Sequence, residues 1–145
     1  MNAMDGFEHE QNAPPAALAP RPGHALLLIV GAEPELRSVM RRMLARRGFV
    51  ALEASNAPEA VEAIRMHGDA VAGVVLDLGM PSPVAEEIFG HLRAARADLP
   101  VLFTGGYGEE ILTRRLAGAA GTAFLPKPFG LDALGSKAGD LFTAR

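Results

Sequence analysis

The chain has 145 residues, 49% of them hydrophobic, with a formal net charge of −3 and no cysteine. That suits one domain with a proper core; mild acidity without a basic stripe argues against nucleic acid as a partner, and the lack of cysteine excludes a disulfide framework, a thiol nucleophile and cysteine metal sites. No apolar run reaches membrane-spanning length, and acids (Asp5, Glu8, Glu10) stand where a signal peptide would be basic, so neither membrane span nor leader is expected and a cytoplasmic location follows.

Residues 1–23 hold Pro14, Pro15, Pro20 and Pro22 among alanines and polar residues, without a period, and read as a disordered arm before a folded domain over residues 24–145. Ala25 to Val30 (ALLLIV) is a continuous apolar strand ending at Gly31-Ala32. Glu33-Pro34-Glu35 opens a helix with proline in its first turn and acids at the positive end of its dipole. Leu36, Val39, Met40, Met43 and Leu44 fall at helical spacing, with Arg37, Arg41, Arg42, Arg46 and Arg47 assigned to the solvated face.

Gly48 stops that helix, and Phe49 to Ala54 (FVALEA) is a weaker strand, as at a sheet edge. Asn56 caps and Pro58 starts a second helix ending at Gly68, with His67 on its surface. Val71 to Leu76 is a valine-rich run, the pattern of a central strand buried on both faces, and it ends in Asp77 before Gly79 and Pro81. A carboxylate there serves either a ligand at the end of the strands or the capping of the turn that follows. A third helix is expected from about Pro83 to Arg96, with His91 on its surface. The strand Val101 to Thr104 precedes Gly105-Gly106-Tyr107-Gly108, and a fourth helix covers about Glu109 to Leu116. The last strand, Thr122 to Leu125, closes with Pro126-Lys127-Pro128-Phe129. The final helix, about Leu131 to Phe142, contains Gly135 and Gly139, each costing about 1 kcal/mol relative to alanine, and reads as frayed. Five strands alternating with five helices make a doubly wound parallel α/β sheet.

LDLGMP around Asp77, Gly-Tyr after the fourth strand, and FLPKPF with Lys127 together resemble the receiver domain of bacterial response regulators in two-component phosphorelay systems. The resemblance covers residues 25–142 and implies the flavodoxin-like strand order 2-1-3-4-5, which places Asp77 at the switch point. It also implies that Asp77 matches the aspartate that accepts a phosphoryl group from a histidine kinase. Lys127 then matches the phosphate-contacting lysine and Phe124 the switch aromatic, although a plain core role is the preferred reading of Phe124.

The departures from that family are specific. Where receivers carry two acids that hold Mg²⁺, this chain has Gly31 and Ala32, and Glu33 is the one residual acid. The switch hydroxyl position falls on Gly105; Thr104 is one residue early, and on a strand a one-residue offset faces the other side. A glycine usual after the Met-Pro pair is Ala85. Asp77 and a backbone carbonyl near Gly79 are then too few ligands for tight Mg²⁺, so no cofactor beyond a weak metal is expected, and Asp77 and Lys127 are expected to face each other as an ion pair.

The chain is expected to be no enzyme but an atypical receiver, stand-alone or cut from a larger hybrid kinase. Its partner would be a histidine kinase or other signalling protein, or a second copy in a homodimer. The face such domains use is the fourth helix, fifth strand and fifth helix, with Tyr107 over the pocket. The alternative is a working receiver that holds metal loosely through Asp77, Glu33 and waters and shuttles phosphate. A small flavodoxin-like enzyme or nucleotide-binding protein is disfavoured, since neither glycine stretch matches G-x-G-x-x-G or a P-loop and no Ser/His/Asp set is visible.

Overall fold

The computed structural model describes residues 25–80, 84–106, 114, 116, 119–130 and 132–142. Its strands are β1 (Ala25–Val30), β2 (Phe49–Ala54), β3 (Val71–Asp77), β4 (Val101–Gly105) and β5 (Thr122–Pro126). All pair in parallel, in the order β2-β1-β3-β4-β5. The apolar runs of β1 and β3 are buried nearly end to end because each has a neighbour on both sides and helices over both faces. FVALEA lies at one edge and alternates between buried and open positions.

Among the described residues there are four α-helices: α1 (Pro34–Ala45), α2 (Ala57–His67), α3 (Val84–Ala95) and α4 (Ala133–Phe142), with a 3₁₀ turn at Gly68–Ala70. Of the fourth helix expected over residues 109–116, only 114 and 116 are described, both helical; the rest, with Tyr107 and Pro81, lies outside the described residues, as does the arm of residues 1–23. None of the described helices is long and apolar enough to cross a membrane.

Strand alternation divides the core in two. Leu28, Val30, Val74, Leu76, Val101 and Phe103 face α2 and α3, where Ile64, Ile88 and Leu92 meet them. Leu27, Ile29, Val75, Leu102 and Leu125 face α1 and α4, against Met40, Leu44, Leu134 and Phe142. The final helix is not frayed: Leu134, Gly135, Ala138 and Phe142 are all buried. At Gly135 the stem of the exposed Arg47 lies close, and a Cβ there would stand 2.5 Å from its Cγ, so that side chain would have to shift.

Candidate functional site

Period-two alternation carries the Leu27–Ile29, Gly73–Val75 and Leu102 face of the sheet onward to Gly31, Asp77 and Thr104 at the C-terminal strand ends. Asp77 is one of two buried polar residues among those described; the other is Thr104. Register explains why they meet: β3 and β4 pair Asp77 with Thr104, and paired residues on neighbouring strands project to the same face. Thr104 Oγ1 donates to Asp77 Oδ1 at 3.1 Å. This corrects the expectation that Thr104 faces away from the aspartate; being one residue before Gly105 is what puts it on the Asp77 face.

Lys127 follows β5, and its backbone N–H donates to the Gly105 carbonyl at 2.7 Å. That anchor brings its ammonium over the strand ends, with Nζ 2.6 Å from Asp77 Oδ1. The carboxylate side chain is 5% exposed and the lysine 27%, so the pair is sheltered at the C-terminal ends of the strands. Both contacts fall on Oδ1.

The other oxygen, Oδ2, is bordered by two glycines. A Cβ at Gly79 would lie 3.1 Å from Oδ2 and 3.7 Å from Lys127 Nζ. A Cβ at Gly31 would lie 3.3 Å from Asp77 Cβ, 3.7 Å from Arg37 Cγ and 3.9 Å from Oδ2. The strand end thus approaches the carboxylate closely because residue 31 has no side chain.

Sequence reasoning placed Arg37 on the solvated face of its helix, but its side chain is only 14% exposed. Nε donates to Glu53 Oε1 at 3.0 Å and Nη1 donates to the Gly31 carbonyl. Its position beside Leu36, one turn from Met40 and two from Leu44, was the signal available, since it abuts the buried stripe.

Ala32 and Glu33 are exposed, and Glu33 occupies the N-cap of α1 without a side-chain capping bond. Phe124 pairs in register with Phe103 and packs on the α2/α3 face, opposite the carboxylate. Ala85 is buried in that same core.

Magnesium prefers carboxylate and water oxygens in octahedral array. Here one carboxylate already bears a lysine, and no group of three or more His, Cys, Asp and Glu able to hold a metal ion occurs among the described residues. Among the described residues the donor set is too small for a tight divalent-cation site.

The sequence profile of the response regulator receiver domain matches residues 27–138. Over 110 residues the chain is 33% identical to response regulator MprA of Mycobacterium ulcerans, covering 74% of this chain and 46% of that one. It is 34% identical to transcriptional regulatory protein TcrA of Mycobacterium tuberculosis, covering 74% and 42%. The chain therefore spans less than half the length of these curated relatives. A response regulator receiver domain protein from Clostridium thermocellum superposes with a TM-score of 0.73 over 82% of this chain and 94% of the other, at 20% identity, a likeness of fold.

Proposed function

The chain belongs to the response regulator receiver domain family of two-component systems, and from that premise we propose that it is an atypical receiver, signalling by protein–protein contact and not by Mg²⁺-dependent phosphorylation. The observation that carries this reading is the closure of Asp77 Oδ1 by Lys127, with no acid at Gly31 or Ala32 beside it. Phosphoryl transfer to a carboxylate is chiefly positioning plus neutralisation of charge on the equatorial oxygens. A pocket without a metal must find that charge in side chains, and its lysine is already committed to the acceptor.

In this reading the domain is not an enzyme. It works as a fixed binding surface for a histidine kinase or another signalling protein, through β5, α4 and the segment before β5. One observation favours the alternative of a phospho-accepting shuttle: the Thr104 hydroxyl on Asp77, which supplies a donor to the site.

Intact-mass analysis after incubation with acetyl phosphate, with and without Mg²⁺, separates the two. No adduct in either condition is the expected result. A single phosphate that requires Mg²⁺ and vanishes in Asp77→Ala would establish the shuttle instead.

A further inference from the structure

We infer that Arg93 is a latch between α3 and the entry to β5, the positioning residue that holds the Ala119–Gly121 approach to the partner-facing strand in one place. The inference rests on the atypical-receiver reading, since the face it fixes is the one proposed there, and it names a residue that keeps that face fixed.

Strand β5 lies at an edge of the sheet and pairs with β4 alone. Thr122, Ala123 and Phe124 are only half-buried, so burial by itself holds the start of the strand weakly. Gly121 turns the chain into β5 with φ of +74°, and its carbonyl accepts from the Val101 N–H at 3.0 Å. The Thr122 hydroxyl donates to the Ala119 carbonyl at 2.8 Å. These bonds tie the turn to β4 and to itself.

Arg93 ties it to a helix. From the last turn of α3, Nε donates to the Leu99 carbonyl at 2.8 Å and Nη2 to the Ala120 carbonyl at 2.6 Å. Leu99 stands just before β4 and Ala120 just before β5, so one guanidinium spans the entries of both strands. Its planar fork lets one side chain take two carbonyls, and its charge strengthens each bond. The guanidinium is seated in turn over the Phe89 ring, 5.0 Å from the centroid, and Phe89 meets Phe103 of β4 edge-on at 5.2 Å. Gly121 leaves room for this approach, since a Cβ there would stand 3.4 Å from Nη2. Burial lowers the Arg93 pKa, with Asp98 opposing, but a guanidinium stays protonated at every accessible pH and the latch keeps its charge.

The test is native-state hydrogen exchange, read by NMR on the full chain and on Arg93→Gln, Arg93→Lys and Arg96→Gln. The reporting amides are Val101, bonded to the Gly121 carbonyl, and Ala119, bonded to that of Leu116; the references are Gly31, bonded to Ala54, and Lys127, bonded to Gly105. Arg93→Gln is expected to speed exchange at Val101 and Ala119 by about tenfold relative to the references. Arg93→Lys keeps the charge but not the fork, and is expected to do the same. Arg96→Gln removes a cation from the same end of the helix, but one whose donors go to the Gly68 and Val71 carbonyls, and is expected to leave the ratio unchanged. Acceleration shared equally by the references is a general loss of stability and overturns the inference, as do unchanged exchange and protection retained by Arg93→Lys. Should Arg93→Gln fail to fold, Arg93→Lys decides alone. The acetyl phosphate experiment stands apart from these outcomes: an adduct on the unmodified chain overturns the atypical reading, whereas unchanged exchange removes only the latch.

Discussion

Asp77 depends on two donors that reach it from different strands. Removing one partner of a sheltered charge leaves a desolvated group unsatisfied, while removing both at once can be nearly neutral. Lys127→Met is therefore expected to lower stability by about 2 kcal/mol, and Thr104→Val by about 1 kcal/mol. Adding Asp77→Asn to Lys127→Met recovers part of the loss, because the orphaned charge is then gone. Urea unfolding of the two single variants and the double measures this; an unchanged midpoint for Lys127→Met would show that water satisfies Asp77 as well as the lysine does. Gly79 belongs to the same arrangement, since a methyl group there would press on Oδ2 at 3.1 Å.

Helix α2 shows how an element is fixed by its first turn. Asn56 Oδ1 accepts from the Glu59 N–H at 2.9 Å, and Glu59 Oε1 accepts from the Ser55 N–H at 2.8 Å and from its hydroxyl at 3.0 Å. These reciprocal bonds satisfy donors that the start of a helix leaves open. Asn56→Ala is expected to cost about 1 kcal/mol in a thermal or urea melt. The Ser55 backbone bond, then the Ser55 hydroxyl, lowers the Glu59 pKa below the usual carboxylate value. A depressed folded-state pKa means that the contribution of Glu59 is present above the unfolded-state value and is lost as pH falls through the folded one. The stability difference between the parent and Glu59→Gln is thus expected to shrink when unfolding is repeated below the carboxylate range. At the far end Gly68 stops the helix with φ of +52°, a conformation that side chains resist.

On the scale of the whole molecule, the last helix is tied to the central strand. Phe142 seats over Gly73 of β3, where a Cβ would lie 2.2 Å from its ring, and it meets Phe49 edge-on at 6.5 Å between centroids. Residues from β2, β3 and α4 are thereby joined on the face that also carries Asp77. Phe142→Ala is expected to cost about 3–5 kcal/mol, a large share of a typical domain's stability. Gly73→Ala is destabilising alone and less so in the Phe142→Ala background, since the added methyl then enters the vacated space. Denaturant unfolding of the four proteins in this cycle measures that coupling; strictly additive losses would mean that the two residues do not share the contact.

The layout of five parallel strands was legible in the chain because buried strands read as continuous apolar runs and helices as 3.6-residue stripes opened by Pro34 and Asn56 and closed by Gly48 and Gly68. The family motif around Asp77 and Lys127 was legible too, since both lie at strand ends marked by turn residues. What the linear chain leaves open is which neighbouring strand meets which residue. Thr104 was assigned to the wrong side because its partner is set by the β3–β4 register, and Arg37 was assigned to solvent because its acceptors, Glu53 on β2 and the Gly31 carbonyl just past β1, lie outside its own helix. Gly73 and Gly135 carried no sequence signal of their own, as a missing side chain acquires meaning only from the ring or guanidinium stem packed against it. Local periodicity is written residue by residue, and so the sequence by itself determined the elements and their caps; the contacts across the sheet depend on register and on the approach of distant side chains, and these only the tertiary structure decided.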